Sequence, residues 1–119
     1  MGDGQHVWAA AEWVLMIRNC FVREEEGRLI LCSGIPQVWL DRKQTMSFGW
    51  APTNYGDIQI SIQPQEERIL IEWHGRWFGR EPAIDIQLSG FKSVRVEPGT
   101  NTLELKAEVL NAGSSYIAV

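Results

Sequence analysis

Apolar and polar positions change their period once along the chain. From His6 to Arg18 the text reads HVWAAAEWVLMIR, with three consecutive alanines, no proline, no glycine and few β-branched residues, a helix-forming composition. Val7, Ala10, Ala11, Val14 and Ile17 recur at helical spacing on one face. Trp8, Ala9, Leu15 and Met16 widen that stripe until the helix is apolar most of the way round. A helix of that kind requires cover on more than one side. Asp3 and Gly4 offer a capped, flexible start, and Asn19 marks the expected end.

Beyond Arg23-Glu24-Glu25-Glu26-Gly27, which reads as a polar turn, the period becomes two. Ile58, Ile60 and Ile62 alternate with Gln59, Ser61 and Gln63; Ile69, Ile71 and Trp73 with Leu70, Glu72 and His74. The same alternation runs through Ile84–Leu88, Val94–Val96 and Leu103–Ala107. One apolar face per strand is what a two-layer β structure needs. Turn signals separate the runs at Pro64–Glu67, Gly79–Pro82, Ser89-Gly90 and Pro98–Asn101. With Arg28–Cys32, Thr45–Trp50 and Tyr116–Val119, the pattern predicts about seven or eight short strands in an antiparallel two-sheet β-sandwich, preceded by one long N-terminal helix. Ile35–Leu40 does not alternate and is expected to be a helical turn crossing between the sheets.

Composition narrows the function classes. The chain has 119 residues, 45% apolar and 22% charged, which suits one globular domain and argues against disorder. Apolar runs fall well short of the roughly 20 residues of a membrane helix, and no signal-peptide pattern opens the chain. Eleven Lys+Arg against fifteen Asp+Glu give a net charge of −4 with no basic tract, so nucleic acid is not an expected partner. Cys20 and Cys32 have no CxxC partner. Two buried free thiols in a reducing cytoplasm are expected, with a disulfide left open.

Chemistry-bearing motifs are sparse. His6 and His74 are the only histidines and neither sits at metal-ligand spacing, so no metal site and no cofactor is expected. Nucleotide cradles and the hydrolase nucleophile elbow are absent from the sequence. Glu72, Glu81, Asp85 and Glu104 fall opposite the apolar face and are expected to be solvated rather than paired as in glycoside hydrolysis. Asp3, flanked by glycines ahead of the helix, reads as a helix cap or as an acid favoured by the helix N-terminus. The six tryptophans admit two readings. Most suit core packing, while Trp39, Trp50, Trp73 and Trp77 could present flat rings to a sugar.

The segment Gly4–Trp13 resembles the last inner helix of an (α/α)6-toroid glycosidase. Arg28–Leu40 and Ala51–Gly56, with the pattern GIP..WL … APT.YG, resemble the β domain that follows the toroid in large bacterial glycoside-hydrolase-like proteins. The resemblance extends over nearly the whole chain. It implies that residues 1–21 correspond to the last toroid helix and 22–119 to the C-terminal β domain, as in a C-terminal fragment of such a protein. On that footing Asp3 would match a catalytic carboxylate of an intact parent, with Gln5 and His6 beside substrate. The chain itself would be a non-catalytic accessory domain and not an enzyme. Its implied partner is the toroid, or a second copy through the helix face of Val7, Trp8, Ala11, Val14 and Leu15. The alternative is a stand-alone carbohydrate-binding module.

Overall fold

The computed structural model describes the backbone of residues 16–110 and 113–118, and side chains as far as Lys106. The expected helix over His6–Arg18 therefore lies largely outside the described residues, as do Asp3, His6, Trp8 and Trp13. Residues 16–21 are helical (α1), so the helix passes Asn19 and ends at Phe21.

Ten further elements follow: β1 (Val22–Glu25), β2 (Arg28–Leu31), α2 (Gln37–Asp41), β3 (Met46–Thr53), β4 (Gly56–Pro64), β5 (Arg68–Trp77), β6 (Ala83–Ile86), β7 (Val94–Arg95), β8 (Thr102–Leu110) and β9 (Gly113–Ala118). They form two sheets, ordered β1-β2-β6-β7 and β3-β4-β5-β8-β9. Every pairing is antiparallel except β2 with β6. That parallel pair needs a long connection, and the chain supplies it by building β3, β4 and β5 of the other sheet in between.

The two-residue period explains the core. On β4, Ile58, Ile60 and Ile62 are buried while Asp57, Gln59, Ser61 and Gln63 are partly exposed. Ile69, Ile71 and Trp73 of β5 and Leu103 and Leu105 of β8 share that inward face. Leu29 and Leu31 of β2 and Ile84 and Ile86 of β6 face inward from the other sheet, and all of these residues belong to one hydrophobic cluster. α2 carries the chain from β2 to β3 and buries Leu40.

The expected polar turn at Arg23–Gly27 is instead a hairpin. Arg23, Glu24 and Glu25 lie in β1, and only Glu26 and Gly27 turn, both with positive φ, as a tight two-residue hairpin requires. β1 is an edge strand, where charged side chains are common, and that hid it from a reading based on alternation.

α1 ends in contact with both layers. The Cys32 amide donates to Phe21 O at 2.8 Å and the Gly34 amide to Cys20 O at 3.2 Å. A Cβ on Gly34 would lie 2.8 Å from Cys20 Cα, so only glycine allows this approach. Phe21 stacks on Phe48 of β3 at 5.1 Å between ring centroids. Arg18 Nη2 donates to Pro52 O at 3.0 Å and sits 3.6 Å from Glu24.

Gly56 shows the same close-approach logic at the β3–β4 turn. Its φ is +138°, and a Cβ there would meet Arg76 O at 2.1 Å. Thr53 closes the turn, its hydroxyl donating to Gly56 O at 2.7 Å and accepting from the Tyr55 amide at 3.0 Å. Gly56→Ala is expected to cost about 3 kcal/mol from strain and forced strand separation. Gly79→Ala, at a site with open space and ordinary φ, should change stability little. Urea denaturation of the two variants checks the contrast.

Candidate functional site

The four tryptophans proposed for sugar stacking do not share one surface. Trp73 is 1% exposed and lies in the core, offering no ring face to solvent. Trp39 and Trp77 are half-buried and pack against the same cluster. The Trp77 indole folds across Gly75, where a Cβ would fall 2.0 Å from its ring. Trp50 alone of the four is broadly exposed, at 39%. β3 bulges at Gly49-Trp50, two residues standing opposite Gln59, and bulges re-aim side chains. The ring lies under the Arg76 guanidinium, Cζ 3.8 Å from its centroid. That contact contributes about 0.5–1 kcal/mol and occupies one face of the indole.

The acids behave as expected at three of four positions. Glu72, Glu81 and Glu104 are partly exposed. Asp85 corrects the expectation: it points away from the apolar cluster yet is only 4% exposed. Its β7 neighbour Arg95 bonds to it through Nε, and through Nη2 at 3.1 Å. Arg28 reaches it diagonally from β2 through Nη1. Alternation fixed the face on which Asp85 lies but carried no information about two arginines closing over it. Hydrogen bonding from Arg95, with further help from Arg28, holds the Asp85 carboxyl below the usual carboxylate range despite the opposing effect of burial.

His74 is exposed on β5. Cys20 and Cys32 are both free, with Cys20 half-buried and Cys32 buried. Burial pushes the Cys32 thiol up to about 12, making it a poor nucleophile. Among the described residues no three His, Cys, Asp or Glu side chains gather as metal ligands. Among them, too, no helix is long and apolar enough to cross a membrane.

Two hollows flank the segments by which the chain passes between the sheets. One hollow of about 200 Å³ is lined by Trp73, His74, Trp77, Glu81, Thr100 and Asn101, with Gly75 and Gly99 between them. A second, of about 350 Å³, runs on over β6 and the end of β7, with Arg95 and Glu97 among its walls. Glu81 and Thr100 line both hollows, so the two meet there. Glu81 also fixes the rim, its Oε2 accepting from the Gly99 amide at 2.8 Å. The sequence marks Glu81 and Gly99–Asn101 only as parts of two turns, Gly79–Pro82 and Pro98–Asn101, and Trp73 and Trp77 only as ring candidates; no periodic signal places the turns beside β5. A wider hollow, about 540 Å³, flanks Gln65–Arg68 and Lys106 but has no aromatic wall.

No family model, no curated protein and no solved structure matches this chain.

The Asp85 clamp sets a pH dependence. Because the folded-state pKa lies below the unfolded one, the clamp contributes fully above about pH 4 and its contribution is lost as pH falls through the lower folded value. Asp85→Asn should remove about 2 kcal/mol at pH 7, less than the roughly 3–5 kcal/mol of a fully buried pair because Arg28 and Arg95 remain partly in solvent. Thermal melts at pH 7 and pH 3 should show a smaller acid-induced drop in the variant than in the wild type.

Proposed function

We propose that this chain is the non-catalytic C-terminal accessory domain of a bacterial glycoside-hydrolase-like protein of the six-hairpin class. On this reading its two sheets pack as a β-sandwich, residues 22–119, and residues 1–21 are the last helix of the toroid. The domain's physical task is to hold that helix end in a fixed direction. The supporting observation is a coincidence of positions. The residues that carry the GIP..WL … APT.YG resemblance are the ones that build the helix joint and its surroundings. Gly34 touches Cys20, Ile35 and Leu40 are buried, and Pro52 O receives Arg18. Thr53 and Gly56 shape the turn that follows Pro52. Residues with these jobs describe a fitted mechanical joint rather than a reaction centre.

The free thiols agree with a reducing, cytoplasmic setting. A stand-alone module built on a tryptophan platform draws on Trp50 alone among the four candidates, and Arg76 already covers one face of it.

An apolar helix face made for toroid neighbours will seek another partner in the isolated chain. Sedimentation velocity is expected to show concentration-dependent self-association, and Trp8→Glu with Leu15→Glu should return the chain to monomer without lowering the melting temperature of the β sheets. A wild-type monomer at the highest soluble concentration contradicts the reading.

A further inference from the structure

We propose that the open edge of β5, from Trp73 to Trp77, docks an extended peptide segment of a partner protein, one that carries lysine or arginine. This goes beyond the accessory role and does not depend on it.

Register defines the edge. The Phe78 amide donates to Tyr55 O at 2.9 Å, on the β4 side of β5. Alternation then turns the main-chain groups of His74 and Arg76 toward β4, and those of Trp73, Gly75 and Trp77 toward β8. β8 covers only the first half of that side. Pairing stops at Glu72↔Thr102, and the Trp73 amide makes one last bond, to Asn101 O at 3.0 Å. Beyond it the Gly75 and Trp77 main-chain groups have no partner strand among the described residues, while β5 stays paired with β4 to its end.

The segment that would cover them is drawn aside. Gly99 turns with φ +87°, and Glu81 Oε2 accepts from its amide at 2.8 Å, which ties the loop to the start of β6. Between that loop and β5 lies the hollow of about 200 Å³, with Gly75, Trp77, Gly99 and Asn101 on its walls.

The exposed chemistry selects the occupant. Gly75 and Trp77 present main-chain groups about 7 Å apart, the two-residue repeat of a strand, and another extended main chain matches that spacing. Charge decides which peptide. Glu81 lines this hollow and, with Glu97, the adjoining one of about 350 Å³. Arg95, the cation on those walls, is committed to Asp85. A lysine or arginine on the added strand meets these acids, and an acidic peptide is repelled. A second copy pairing edge to edge would set two such acidic walls against each other.

The test uses the full chain and two capped hexapeptides, one alternating valine with lysine and one alternating valine with glutamate. In the free chain the Gly75 and Trp77 amides should exchange with solvent roughly tenfold or more faster than those of His74 and Arg76. The lysine peptide should shift the Gly75 and Trp77 amide NMR signals, saturate, and slow exchange at both roughly tenfold. A fully N-methylated copy of it, which has lost its main-chain donors, should not bind. Glu81→Gln with Glu97→Gln should weaken binding of the lysine peptide roughly tenfold. Glu66→Gln with Glu67→Gln, the same charge change in the turn at the other end of β5, should leave it unchanged. Melting curves confirm that each variant is folded. The proposal is overturned if millimolar lysine peptide leaves the Gly75 and Trp77 signals unmoved, if the glutamate or N-methylated peptide binds as well, or if both double variants weaken binding alike. Protection of the two amides that rises with protein concentration alone also overturns it, in favour of a second copy on the edge.

Discussion

The contact on which the rest depends is the meeting of two backbones at Gly34. The end of α1 and the turn after β2 approach so closely that a single added carbon would collide with Cys20. Two main-chain hydrogen bonds, Cys32 to Phe21 and Gly34 to Cys20, hold them there. Phe21 and Cys32 are buried, and buried main-chain groups must be paired, so this joint makes the helix end part of the β structure rather than an appendage. Phe21 then joins the cluster to which both sheets contribute, and Arg18 ties the last helical turn to β3. The last turn of α1 and the two sheets therefore share one packed core, with Ile17 and Cys20 packed against the same cluster.

A second constraint stiffens the four-stranded sheet. β7 is only two residues long and β6 four, too short to be held by ladder hydrogen bonds alone. Asp85 makes up the difference by gathering Arg28 from β2 and Arg95 from β7 on the sheet face away from the apolar cluster. Arg28 in turn reaches Glu25 on β1, at 3.4 Å, so side-chain contacts run across all four strands. The groove around Glu81 and Thr100 depends on this arrangement, because Arg95 forms one of its walls and β6 begins beside it.

The parts of the fold legible in the sequence were those governed by a period. Ile58–Ile62, Ile69–Trp73 and Leu103–Leu105 alternate, and they form the inward face of the five-stranded sheet. What stayed hidden depends on contacts between distant segments. Arg23–Glu25 looked like a turn because an edge strand can carry charges on successive residues. Asp85 looked solvated because nothing local announces Arg28, 57 residues away. Trp73 was ambiguous for a related reason: alternation put it inward, but composition alone left a sugar platform open. The walls of the groove come from β5, from the turn before β6 and from the turn before β8, and only the folded chain places them together.

Native-state hydrogen exchange at the Cys32 and Gly34 amides tests the mechanical account most directly. If the helix end is integral to the β domain, both amides exchange only through global unfolding, with the same protection as the β4–β5 ladder. Rapid exchange at these two sites while β4 and β5 stay protected would mean that the joint opens by itself, and the helix would then be tethered to the sheets without being held by them.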